Sequence, residues 1–200
     1  MRSSTILTFS AAIALAASAQ AGIDFTPSVK RYMSEGAEYA NVSFKDDQRA
    51  VSMAVPRLWT CRGDASRLQF TPPDQNFAEG VVQAVPTKGV LAFDEPTLKA
   101  LEQQTLDTLP PGSQAVTVLS RQENAVFVGG NPGFEFVVSY QVLGQAFQRS
   151  VIFVNCPGQQ LVFRFTAPRK AFDTLNRSFR QSIYSWHWSE QSGPTVAVSR

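Results

Sequence analysis

GFEFVVSYQVLGQAFQRSVIFVNCPGQQLVFRFTAPRKAFDTLNRSFRQSIYSW, residues 133–186, decides the fold class of this chain. Three apolar runs, 135–143, 147–155 and 160–166, are parted only by Gly144-Gln145 and Pro157-Gly158, residues that favour tight turns. Runs joined so closely must pair antiparallel, because a parallel crossover needs a dozen residues or more. The period then changes. Phe172, Leu175, Phe179, Ile183 and Trp186 recur at spacings of 3, 4, 4 and 3, the seam of an amphipathic helix. Thr166 can cap it and Pro168 suits its first turn. Arg169, Lys170, Asp173, Arg177 and Arg180 fall on the other face. A helix with so apolar a seam has to lie on a sheet.

The same pattern continues upstream. Ala115–Leu119 and Asn124–Val128 read as strands, and Gly129-Gly130-Asn131-Pro132-Gly133 as a turn. Before them Asp94 can cap a helix in which Leu98, Leu101, Leu106 and Leu109 keep one face apolar until Pro110-Pro111-Gly112. Residues 40–44 and 51–55 alternate about a polar turn and predict a hairpin. A second hairpin is expected from 58–62 and 67–70, and a further strand from 81–85. Strands outnumber helices and connect by short turns, so the expectation is α+β: a mainly antiparallel twisted sheet with helices packed on its faces. One domain is expected over 22–188, with an irregular N-terminal arm at 22–39 and a frayed tail at 189–200.

The N-terminus reads as a cleavable secretory signal over residues 1–21. Arg2 gives the positive start, 6–17 the apolar stretch, and Ala19-Gln20-Ala21 the small residues before a cut at Gly22. The apolar stretch is shorter than the roughly 20 residues of a membrane span. A periplasmic or secreted protein is expected, with no transmembrane segment in the mature chain. Eighteen Lys and Arg against 16 Asp and Glu give a net charge of +2. No basic cluster marks a nucleic-acid face.

Catalytic machinery is hard to assemble from this inventory. His187 is the one histidine, between Trp186 and Trp188, and reads as a helix-end imidazole on aromatics. There is no G-x-S-x-G elbow, and the 129–133 turn lacks the lysine of a phosphate loop. With two isolated cysteines and one histidine, no ligand spacing suggests a metal. No catalytic residue, metal or cofactor is therefore expected. Glu135 sits in an apolar run and is expected on the solvent side, with Phe134 and Phe136 inside. Cys61 and Cys156 suit a disulfide in an oxidising compartment, or two buried free thiols. Arg169, Lys170, Arg177 and Arg180 offer an anionic docking face or an ordinary solvated one; Arg62, Arg67 and Arg149 would extend it if their hairpins lie near. Trp59, Trp186, Trp188 and 15 Phe suit a packed core or the wall of an apolar pocket.

Taken in order, these elements resemble the PsbP-like superfamily, which includes the DcrB-type bacterial envelope proteins. Val55-Pro56-Arg57-Leu58-Trp59 is similar to the family's entry into its first hairpin. Gly133 to Pro168 is similar to its long hairpins running into T-A-x-x-x-x-F, and Phe172 to Trp186 to its terminal helix. The resemblance implies an α/β/α sandwich and a non-enzymatic accessory or binding role. The expected partner is another envelope protein or a small apolar ligand. Two alternatives stand beside it: a small hydrolase with a site built from scattered residues, and a carrier of an apolar molecule.

Overall fold

The computed structural model of the chain describes residues 22–47 and 49–190, so the expected signal segment lies outside the described residues. Eleven strands and two helices follow in order. They are β1 (Ile23–Ser34), β2 (Ala37–Asp46), β3 (Arg49–Val55), β4 (Thr60–Gly63), β5 (Arg67–Thr71), β6 (Glu79–Pro86) and α1 (Glu95–Asp107). The second half supplies β7 (Gln114–Val128), β8 (Asn131–Val142), β9 (Gln145–Cys156), β10 (Gln159–Pro168), α2 (Arg169–Tyr184) and β11 (His187–Glu190).

Two antiparallel sheets result. The larger has the order β4-β5-β6-β10-β9-β8-β7, and the smaller β1-β2-β3-β11. The hairpins read from 133–168 are present in register: Gly133 pairs with Val154, Tyr140 with Phe147, and Gln159 with Cys156. Helix α1 starts where its sequence says, with the Asp94 carboxylate accepting from the Thr97 amide at 3.0 Å.

The α/β/α sandwich is not what the chain builds. Strands account for 59% of the described residues and helices for 17%, so the molecule is mostly antiparallel sheet. Helix α1 covers part of one face of the large sheet, with Leu101 packed among Phe134, Phe136, Val151 and Phe153. The opposite face carries the main core, shared by α2 and the small sheet: Phe165, Phe179 and Ile183 pack with Phe25, Phe44 and Met53. A second sheet does the covering that a helical layer was expected to do.

Its centre, β2 and β3, is the hairpin expected from 40–44 and 51–55, while its other two strands were hidden at the ends of the sequence. Residues 23–34, expected to be an irregular arm, form β1 against β2. Only Ile23 and Phe25 of β1 are buried, so the rest shows no alternation to read. Ser189 and Glu190, expected in a frayed tail, belong to β11, which pairs with β3. Thr166 does not cap α2. The N-cap is Pro168, with no side-chain bond, and Thr166 remains in β10. Runs 115–119 and 124–128 join in one strand, β7, through irregular register against β8.

Candidate functional site

The tight turn Leu143-Gly144, both residues at positive φ, sets the register of β8 and β9. That register places Tyr140 directly opposite Phe147, and their rings stack at 5.7 Å between centroids. Arg149 follows two residues later on the same face, the face that carries α1. Phe77, in the loop before β6, meets Phe147 edge-on at 6.5 Å. Together with Pro110 and Thr166 these residues line a pocket of about 300 Å³ beside the C-terminal end of α1.

Arg149 is the polar centre of this pocket and is only 5% exposed. Its Nε donates to Thr166 Oγ1 at 2.9 Å. Its Nη1 donates to the Thr108 carbonyl and, at 3.0 Å, to Thr108 Oγ1. Thr108 is the C-cap of α1, so the cation sits at the negative end of the helix dipole. The guanidinium carbon also lies 5.6 Å from the centre of the Tyr140 ring. Burial pulls the Arg149 pKa below the usual arginine value, and Tyr140 opposes that shift. Burial likewise raises the Tyr140 phenol, against the lowering effect of Arg149. Among the described residues no carboxylate comes within 4 Å of the Arg149 guanidinium. Glu79 also lines the pocket, but one oxygen lies 3.8 Å from Arg164 Nη2 and the other accepts from Gln69 at 3.1 Å.

The residues singled out in sequence are scattered over other parts of the molecule. Arg169, Lys170 and Arg177 are exposed on α2. Arg180, expected beside them, turns inward and pairs with Glu135 at 2.7 Å. Arg149 cannot extend that face, because α1 and α2 lie on opposite sides of the large sheet. Glu135 is not solvent-facing: it is 3% exposed and also accepts from Ser150 Oγ at 2.5 Å. Alternation does turn it away from Phe134 and Phe136, but the face it turns to is the covered one. His187 is exposed in β11 and not at a helix end.

The disulfide is absent: Cys61 and Cys156 are both free thiols. Strands β5, β6 and β10 stand between β4 and β9. Cys61 shares a row with Phe70, Gly80, Phe165 and Ser150, four strand steps of about 4.8 Å. Cys156 lies further along β9, so Cα atoms within about 7 Å are out of reach. Burial pushes the Cys61 thiol up to about 12 and Cys156 to about 11.

The pocket itself was readable in part. The turn expected at Gly144-Gln145 would set Tyr140 opposite Arg149; the turn falls one residue earlier, at 143–144, and sets it opposite Phe147. Thr166 could be found by the same kind of count, because outward from Pro157-Gly158 it falls opposite Arg149. Phe77 and Thr108 carried no such signal, since only tertiary packing brings them to the pocket.

No protein-family model matches the chain, and no curated protein does. Among solved structures it is similar to PA94, a Pseudomonas aeruginosa protein of unknown function. The identity is 14%, over 78% of this chain and 94% of that one, with a TM-score of 0.45. It is also similar to the cyanobacterial PsbP of Synechocystis, at 13% identity over 81% and 93% of the two chains, with a TM-score of 0.42. The latter belongs to the family that the order of elements in the sequence resembles.

Proposed function

We propose that this is an exported, non-enzymatic binding protein that takes a small ligand between Phe77, Tyr140 and Phe147. The observation that carries the reading is the aromatic-walled pocket with the buried Arg149 at its centre. Small-molecule sites combine apolar walls with a few placed polar groups, and this is such a combination. Its lining includes no histidine, cysteine or serine, and the carboxylate that could serve as a base, Glu79, is held by Arg164 and Gln69. Export is supported by the residue pattern of 1–21, and among the described residues no helix is long and apolar enough to cross a membrane.

Native mass spectrometry of protein purified from its host tests the binding role. A constant small-molecule adduct is expected, and Phe147→Asp should remove it. A chain without adduct, whose melting temperature no apolar compound raises, would end the reading. N-terminal sequencing of the same sample should begin at Gly22; intact Met1 would remove the export claim. A protein partner is the second reading, favoured by the exposed Arg169, Lys170 and Arg177 of α2. Charge reversal at these three should then abolish capture of that partner and leave the adduct unchanged.

A further inference from the structure

We infer that the pocket selects ligands carrying a carboxylate on an aromatic ring, held by Arg149 and the Tyr140 hydroxyl; this rests on the pocket reading above. A buried cation is costly unless something answers its charge. Two nitrogens of Arg149 are committed to Thr166 and Thr108. The Tyr140 hydroxyl accepts from the Arg149 guanidinium, and its own proton remains to be donated into the pocket. The carbonyl end of α1 supplies only about half a unit of opposing charge. Glu79 is the lining carboxylate, and its oxygens are engaged with Arg164 and Gln69. Arg149 and Arg164 against the one Glu79 carboxylate leave a single positive charge, with the phenol proton of Tyr140 beside it. An anion with two acceptor oxygens fits them, and a hydrogen bond between charged groups is the strong kind.

The walls define the rest of the ligand. Phe77, Tyr140 and Phe147 present ring faces and edges, which favour a planar apolar body in stacked or edge-on contact. A volume of about 300 Å³ stands at the lower limit for small-molecule sites, enough for one or two rings and too little for a long acyl chain.

Isothermal titration calorimetry of the mature chain separates the possibilities with three probes of one shape: 2-naphthoate, 2-naphthalenemethanol and 2-naphthylmethylammonium. The carboxylate should bind about tenfold or more tighter than the alcohol, as loss of a hydrogen bond to a charged group implies, with the ammonium weakest. Arg149→Met should lower naphthoate affinity about tenfold or more and the alcohol's by less, closing the gap between the two. Tyr140→Phe, which keeps the ring and the packing, should weaken naphthoate severalfold and the alcohol by less; it serves where Arg149→Met does not fold. Equal binding of naphthoate and the alcohol would overturn the anion selection and leave the pocket standing. No binding of any probe would overturn both.

Discussion

Glu135 accepts from Ser150 and Arg180 while almost wholly enclosed by the main core. Removing one member of such a pair leaves the other as a poorly answered charge. Glu135→Ala should therefore destabilise by about 3 kcal/mol in chemical denaturation. Arg180 keeps some solvent contact, with 19% of its side chain exposed, which holds the expected loss to the lower end of the range. A loss below about 1 kcal/mol would mean that water takes over the role of Glu135. The thiols give a pH prediction. Cys61 ionises near 9.0 when unfolded and near 12 in the fold, so the native state holds its proton more tightly. Its contribution is complete below pH 9 and fades as the pH rises towards 12. Denaturation midpoints should fall above pH 9, and Cys61→Ala should flatten part of that fall. Midpoints in Cys61→Ala that track wild type would show another group to be responsible. Sequence could name Glu135 as unusual, but its partner was beyond reading, since 45 residues separate Glu135 from Arg180.

Helix α2 has no side-chain cap, so packing must hold it in place. Phe179 is 1% exposed and touches Phe70 and Phe165. Phe179→Ala should cost about 3–5 kcal/mol. Its ring also sits against Gly80 of β6, where a Cβ would come within 2.5 Å of a ring carbon. Gly80→Ala should cost about 1–3 kcal/mol through overpacking. In combination with Phe179→Ala that cost should largely vanish, because the ring it strikes is gone. Simple addition of the two losses in a double-mutant cycle would sink the contact. The seam of α2 was legible from its 3.6-residue period. Its start was not: Thr166 is a good cap by residue type, but the ladder of β10 keeps it in the sheet as a partner of Arg149.

The two sheets are tied together through β11. Trp188 donates from Nε1 to Asp46 at 2.9 Å, lies under the Arg49 guanidinium, and meets Trp186 edge-on. It also reaches the β7–β8 turn of the large sheet. A Cβ on Gly129 would fall 2.1 Å from its ring, at a residue held at φ +55°. Trp188→Ala should destabilise by about 3 kcal/mol and expose a hydrophobic seam to a dye such as ANS. A stable variant that binds no dye would show that the sheets hold without this strand.

What the sequence determined by itself was everything with a short-range cause. Turn residues set the β8–β9–β10 meander, an apolar seam set α2, and an aspartate cap set the start of α1. Tertiary structure alone decided the addition of β1 and β11 to the β2–β3 hairpin, the separation of the cysteines, the inward turn of Glu135 and Arg180, and the pocket around Arg149. The physical reason is common to all four. Strand order is a long-range choice, made by which faces can be buried together. It recruits β1 and β11, which show little alternation of their own, and it covers a strand face that alternation alone would assign to water.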